Sequence, residues 1–212
     1  MNKAPRATFS LLLVGLLGLV TACRLNYAGG AKAMNPVELD DSWQRAATTP
    51  IVKQESRMDC GLAALAMVAG AWGHDWTLDQ LQRDLPPSQN GVKLGALRDY
   101  ARAKGLQAYA IKGTREDLAR ELSNGRPVLL GLMLPFDRKQ NLAHYEVAVA
   151  INRKDGSVVT LDPATGKHMQ RSRAVLDLEW KHAGYATLVV VGDQTARKDP
   201  RVGAAQAIRA GP

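Results

Sequence analysis

From Cys60 to Ala71 the chain reads Cys-Gly-Leu-Ala-Ala-Leu-Ala-Met-Val-Ala-Gly-Ala, a run with no charged or amide side chain. A helix of that composition has no face to offer water, so it predicts the central, fully enclosed helix of a domain. Its alanines let neighbouring elements approach closely. The preceding residues, Gln54-Glu-Ser-Arg-Met-Asp59, are polar and loop-like. Asp59 suits the N-cap, which puts Cys60 at the first helical position. There a thiol faces unpaired backbone N–H groups and the positive end of the helix dipole, both of which favour thiolate. The charge of Asp59 opposes this, so a nucleophilic Cys60 requires a second, cationic partner. The alternative is a cysteine that serves only as a small core hydrophobe.

Gln54, Asp59-Cys60-Gly61, Ala63, Leu65 and Met67 together resemble the active-site segment of papain-like cysteine peptidases. More narrowly they resemble the bacteriocin-processing, double-glycine leader peptidase family, here in a stand-alone lipoprotein form. The resemblance implies that Cys60 is the nucleophile and that Gln54, six positions earlier, helps form the oxyanion hole. A side-chain amide and the nucleophile's own N–H stabilise the charge that develops on a tetrahedral intermediate.

The N-terminus carries a different signal. Lys3 and Arg6 precede the apolar run Phe9 to Val20, which closes on Val20-Thr21-Ala22-Cys23. A basic n-region, a short apolar stretch and small residues at the end mark a secretory signal, too short for a comfortable membrane span. Val20 to Cys23 also resembles a bacterial lipobox, implying residues 1–22 as a cleaved signal and Cys23 as the lipidated N-terminus, an anchor on the membrane. Arg24 after it resembles an outer-membrane address on the periplasmic face. The chain has two cysteines; with Cys23 acylated, Cys60 has no disulfide partner in an oxidising compartment. Residues 23–49 read as the lipidated end and a tether, 50–192 as one peptidase domain, and 193–212 as a basic disordered tail.

Within the domain, Thr77 opens a short helix by a capping-box pattern, Leu94 to Lys104 has helical spacing ending at Gly105, and Thr114 opens a helix closed by Asn124-Gly125. Leu106 to Ile111 alternates as a strand. From Pro127 the period changes: Val128 to Leu134, His144 to Ile151, Ser157 to Leu161 and Tyr185 to Val191 read as strands, with a tight hairpin at Asp155-Gly156. One late helix spans about Ser172 to Lys181. Helices first and strands second predict an α+β fold, N-terminal helices packed on a C-terminal antiparallel sheet, in agreement with the papain-like arrangement.

Four histidines compete for the base. His74 lies beyond the far end of the Cys60 helix and reads as a turn residue; His168 and His182 read as exposed. His144 follows the loop Pro135 to Ala143 and opens a strand, and His144-Tyr145 matches the histidine–aromatic segment of the resembled family, although Glu146 is less typical of it. Asp162, in Asp162-Pro163-Ala164-Thr165-Gly166, is by itself an ordinary turn residue. The hairpin brings it back beside His144, where a carboxylate orients an imidazole and favours imidazolium.

Thr165-Gly166-Lys167 lacks the leading glycine and following hydroxyl of a phosphate loop, and His144-x-Glu146 lacks the Pro-Cys-x-x-Cys of a zinc deaminase. No cofactor is indicated. The net charge of +8 falls to about +6 once Lys3 and Arg6 leave with the signal, and part of the rest lies between Arg197 and Arg209. With few aromatics this reads as a solvated tail rather than a nucleic-acid surface. The expected function is a lipid-anchored thiol peptidase acting on envelope or exported peptides. An acyl or peptidyl transferase using the same residues and a non-catalytic binding module are the alternatives.

Overall fold

A computed structural model describes residues 30–135 and 141–193. Among them are eight strands and five α-helices in the order β1 (Lys32–Ala33), β2 (Trp43–Arg45), α1 (Cys60–Gly70), α2 (Leu78–Asp84), α3 (Leu94–Ala103), β3 (Gln107–Lys112), α4 (Arg115–Ser123), β4 (Val128–Pro135), β5 (Asn141–Asn152), β6 (Val158–Asp162), β7 (Lys167–Arg171), α5 (Arg173–His182) and β8 (Ala186–Val191). The strands form one antiparallel sheet in the order β1-β7-β6-β5-β4-β8-β3, with β2 pairing a further stretch of β5. The fold class is α+β, as the change of period along the sequence predicts.

Two apolar clusters lie on opposite faces of this sheet. Leu129, Val147, Leu161, Leu188 and Val190 pack with α1, α2 and α3, whereas their neighbours Val128, Leu130, Ala148 and Val189 pack with α4 and α5. Adjacent residues alternating between two covered faces explain why β4, β6 and β8 read as nearly continuous apolar runs. Helices therefore cover both sides of the sheet, not one. In α1 every residue from Cys60 to Ala69 is buried, as its composition requires, and Trp72 just beyond it donates its indole N–H to the Val190 carbonyl at 3.0 Å.

Two sequence expectations change, and one strand is added. The stretch expected as a tether joins the sheet: Lys32–Ala33 pairs with β7 and Trp43–Arg45 with the end of β5. The polar segment Lys167–Arg171, which carries no strand signature, forms β7 between β6 and β1. Both ends of the stretch expected as a loop from Pro135 to Ala143 are strand, since β4 runs to Pro135 and β5 starts at Asn141; His144 lies inside a strand rather than at its start. Cys23, the signal segment and all but the first residue of the tail lie outside the described residues. No helix among those described is long and apolar enough to cross a membrane.

Candidate active site

The start of α1 lies against the sheet at β5. Gly61 makes this close approach possible: a Cβ there would meet the Tyr145 ring at 3.1 Å and Leu97 at 3.3 Å. Cys60 at the same turn is buried, with 8% of its surface exposed, and is the free cysteine among the described residues. Its side chain lies close enough to His144 to act on the imidazole.

The hairpin between β5 and β6 supplies the other half. Gly156, at φ +73°, takes the left-handed conformation that ends the turn, and Leu161 then pairs with Val147. This register carries Asp162 level with Glu146, one diagonal step from His144. His144 Nε2 and Asp162 Oδ1 are 2.7 Å apart, both residues buried. The turn after β6 fixes the carboxylate, which also accepts from the Ala164 N–H at 2.9 Å and the Thr165 hydroxyl at 2.8 Å. With Nε2 engaged by Asp162, Nδ1 is the ring nitrogen left for Cys60.

Burial by itself pulls the His144 pKa down. The hydrogen bond with Asp162, then the adjacent Cys60 side chain and the charge of Glu146, outweigh it, and the imidazole is pushed up to about 10. Burial likewise raises the Asp162 carboxyl, but His144, the Ala164 N–H and the Thr165 hydroxyl hold it below the usual aspartate value. Both shifts favour an imidazolium–carboxylate pair.

Gln54 is brought to the same region by its backbone N–H, which donates to the Pro163 carbonyl at 2.9 Å, next to Asp162. Its side-chain Nε2 donates to the Ser56 carbonyl at 2.8 Å. That carbonyl demands a donor, which fixes the amide's orientation and leaves the second N–H of Nε2 uncommitted. Asp59 occupies the N-cap position but does not cap α1. Its carboxylate instead accepts from the Ser56 N–H at 2.7 Å and from Gln82 Nε2 at 3.1 Å, bracing the loop that carries Gln54.

The other histidines stand apart. His74 follows the opposite end of α1, its ring centroid 5.3 Å from that of Trp76. His182 is exposed. His168, expected exposed, is half-buried because it sits in β7, and burial lowers its pKa. Sequence reasoning missed a set of buried ionic residues beneath His144: Glu146, Arg171 and Glu179. The available signals were a glutamate inside an apolar strand and a second glutamate sharing the Leu176–Trp180 face of α5. His144, Glu146 and Asp162 are close enough to suggest a metal site, but Asp162 is bound to His144 and both Glu146 oxygens accept from Arg171, so the donors are spoken for.

An enclosed helix that begins at a cysteine, against a sheet bearing a histidine–aspartate pair, defines a cysteine peptidase domain. The chain belongs to the peptidase C39 family, which it matches over residues 48–191. A colicin V secretion/processing ATP-binding protein of Escherichia coli is 31% identical over 128 residues, 60% of this chain and 16% of that one. The chain thus spans about a sixth of the curated relatives it matches. In fold it is similar to a C39-like peptidase from Bacillus anthracis (TM-score 0.60, 16% identity, 71% of this chain and 98% of that one). A double-glycine-motif protease from an AMS/PCAT transporter, solved with the leader peptide, gives a TM-score of 0.55 at 21% identity, with 71% of this chain and 96% of that one covered.

Proposed function

We propose that this chain is a lipid-anchored peptidase of the cell envelope that hydrolyses exported peptides through Cys60, His144 and Asp162. The observation that carries the reading is the buried His144–Asp162 pair, Nε2 to Oδ1 2.7 Å, with the buried Cys60 at the start of α1 close enough to act on the imidazole. The anchor is argued from the sequence, on the resemblance of Val20 to Cys23 to a lipobox.

In the proposed reaction the Cys60 thiolate, its proton on His144, attacks the scissile carbonyl carbon and forms a C–S bond. The oxyanion is held by the Cys60 N–H and the uncommitted N–H of Gln54. Collapse breaks the C–N bond as His144 gives its proton to the leaving amine. Water then attacks the thioester, losing a proton to His144; the C–S bond breaks and the acid leaves. Asp162 keeps the ring oriented and stabilises the imidazolium throughout.

Substrates with a double-glycine leader are the first class to test, because a structural relative is a double-glycine-motif protease crystallised with a leader peptide. Synthetic leader peptides incubated with the purified protein should be cut on the carboxyl side of the glycine pair, with no product from Cys60→Ala. Equal turnover by Cys60→Ala would remove the mechanism. Palmitate labelling that disappears in Cys23→Ser tests the anchor, and labelling that persists contradicts it.

A further inference from the structure

Glu146 is a carboxylate in the middle of a buried sheet, and the reaction just described does not use it. Its position two residues from His144 puts both side chains on one face of β5, and its Oε1 lies 3.9 Å from His144 Nε2, the nitrogen that Asp162 engages. Arg171, fully buried on β7, grips both of its oxygens, Nη1 to Oε2 at 2.6 Å and Nη2 to Oε1 at 2.7 Å. The same guanidinium donates through Nε to Glu179 Oε2 on α5 at 2.7 Å. Thr160 on β6 bonds Glu146 from the side, and the Gly30 N–H, at the start of the described chain, donates to the other Glu179 oxygen at 2.8 Å.

The charges of this group do not cancel. One guanidinium answers two carboxylates, so with all three ionised the trio carries one surplus negative charge, and Glu146 is its member beside His144. Burying such ions is costly, and a buried ion pair is weak evidence for a purely stabilising role, since apolar residues of similar volume often serve a fold as well. An imidazolium at His144 is the cation that the surplus charge favours.

We propose that Glu146, held by Arg171, is a positioning residue for His144: a second carboxylate that fixes the ring beside Asp162 and stabilises the imidazolium formed when Cys60 gives up its proton. The inference rests on the peptidase reading and adds to it a residue outside the Cys60–His144–Asp162 line. The groups facing His144 are Cys60 from α1, Glu146 from β5 and Asp162 from β6, with Arg171 and Glu179 behind Glu146. An opposite charge at such a distance favours the charged form of a histidine, in keeping with the high pKa of His144, to which the charge of Glu146 contributes.

The test is a histidine NMR titration of the full chain beside urea denaturation and Cys60 alkylation by iodoacetamide. Glu146→Gln keeps the shape and removes the charge. It should lower the His144 midpoint by about one pH unit or more, a tenfold change in the ionisation constant, and bring in the alkaline loss of peptidase activity at correspondingly lower pH. Because the lone substitution can compromise folding, the triple variant Glu146→Leu, Arg171→Met, Glu179→Gln removes all three buried charges, and with them the surplus negative one, together; it should fold and show a lowered midpoint. Glu146→Asp, which keeps the charge, should bring the midpoint most of the way back to that of the wild type. If the folded glutamine or triple variant titrates His144 as the wild type does, Glu146 is structural and the proposal is overturned. If Cys60 in the wild type alkylates at a rate indifferent to His144→Ala, the underlying peptidase reading fails and takes this inference with it.

Discussion

Replacing Asp162 by asparagine removes a charge while keeping a hydrogen-bonding side chain 2.7 Å from a buried imidazole. A hydrogen bond to a charged group contributes about 1.5–3 kcal/mol, and a tenfold change in an ionisation constant corresponds to about 1.4 kcal/mol. The His144 midpoint should therefore fall by about one to two pH units from its raised value near 10. The same change appears in stability. A histidine whose folded pKa lies above the unfolded value of 6.5 contributes stability that is fully present below that value and lost as pH rises through the folded midpoint. In Asp162→Asn the loss should be smaller and complete at lower pH than in the wild type. Side-chain NMR of histidine-labelled protein, with His144 assigned by its disappearance in His144→Gln, gives the midpoint, and urea melts from pH 6 to 10 give the stability. A wild-type midpoint near 6.5, or one left unmoved by Asp162→Asn, would refute the argument that this carboxylate holds the imidazolium.

At the acid end the sign reverses: the lowered pKa of Asp162 contributes stability present above the ordinary aspartate value and lost as pH falls through the folded one, so acid melts of Asp162→Asn should be flatter than those of the wild type. Gly61→Ala gains helix propensity of up to about 1 kcal/mol, but its Cβ meets Tyr145 at 3.1 Å and Leu97 at 3.3 Å; overpacking of about 1–3 kcal/mol should dominate, read as a lower urea midpoint. An unchanged or higher midpoint contradicts the close approach. Leu65→Ala, in the middle of the fully enclosed helix, should cost about 2–5 kcal/mol by urea melts, and a loss under about 1 kcal/mol would mean that α1 is not central.

The parts of the fold legible in the sequence are those where a local pattern has one physical outcome. A run such as Leu62 to Ala69 has nowhere to go but inside, and Gly156 before a second apolar run sends the chain back on itself. Those two features nearly suffice to bring Cys60, His144 and Asp162 together. What stayed hidden depends on partners distant in sequence. Lys167–Arg171 is a strand because β6 and β1 flank it, and Lys32–Ala33 because β7 offers an edge; neither segment alternates in a way that betrays it. Arg171 looks like a surface residue until Glu146 and Glu179 close around it. Asp59 carries the right residue for a cap, yet its carboxylate is taken by Ser56 and Gln82, a competition that local propensity does not contain.

The most direct measurement is the rate at which Cys60 is carbamidomethylated at pH 7, followed by intact mass in the wild type and in His144→Ala. Free cysteine is only a few per cent thiolate at that pH, and a neighbouring imidazolium raises that fraction. The account predicts rapid single-site labelling in the wild type and a rate at least about tenfold lower in a folded His144→Ala. Equal rates in the two proteins, or a wild-type Cys60 that does not label at all, would contradict it.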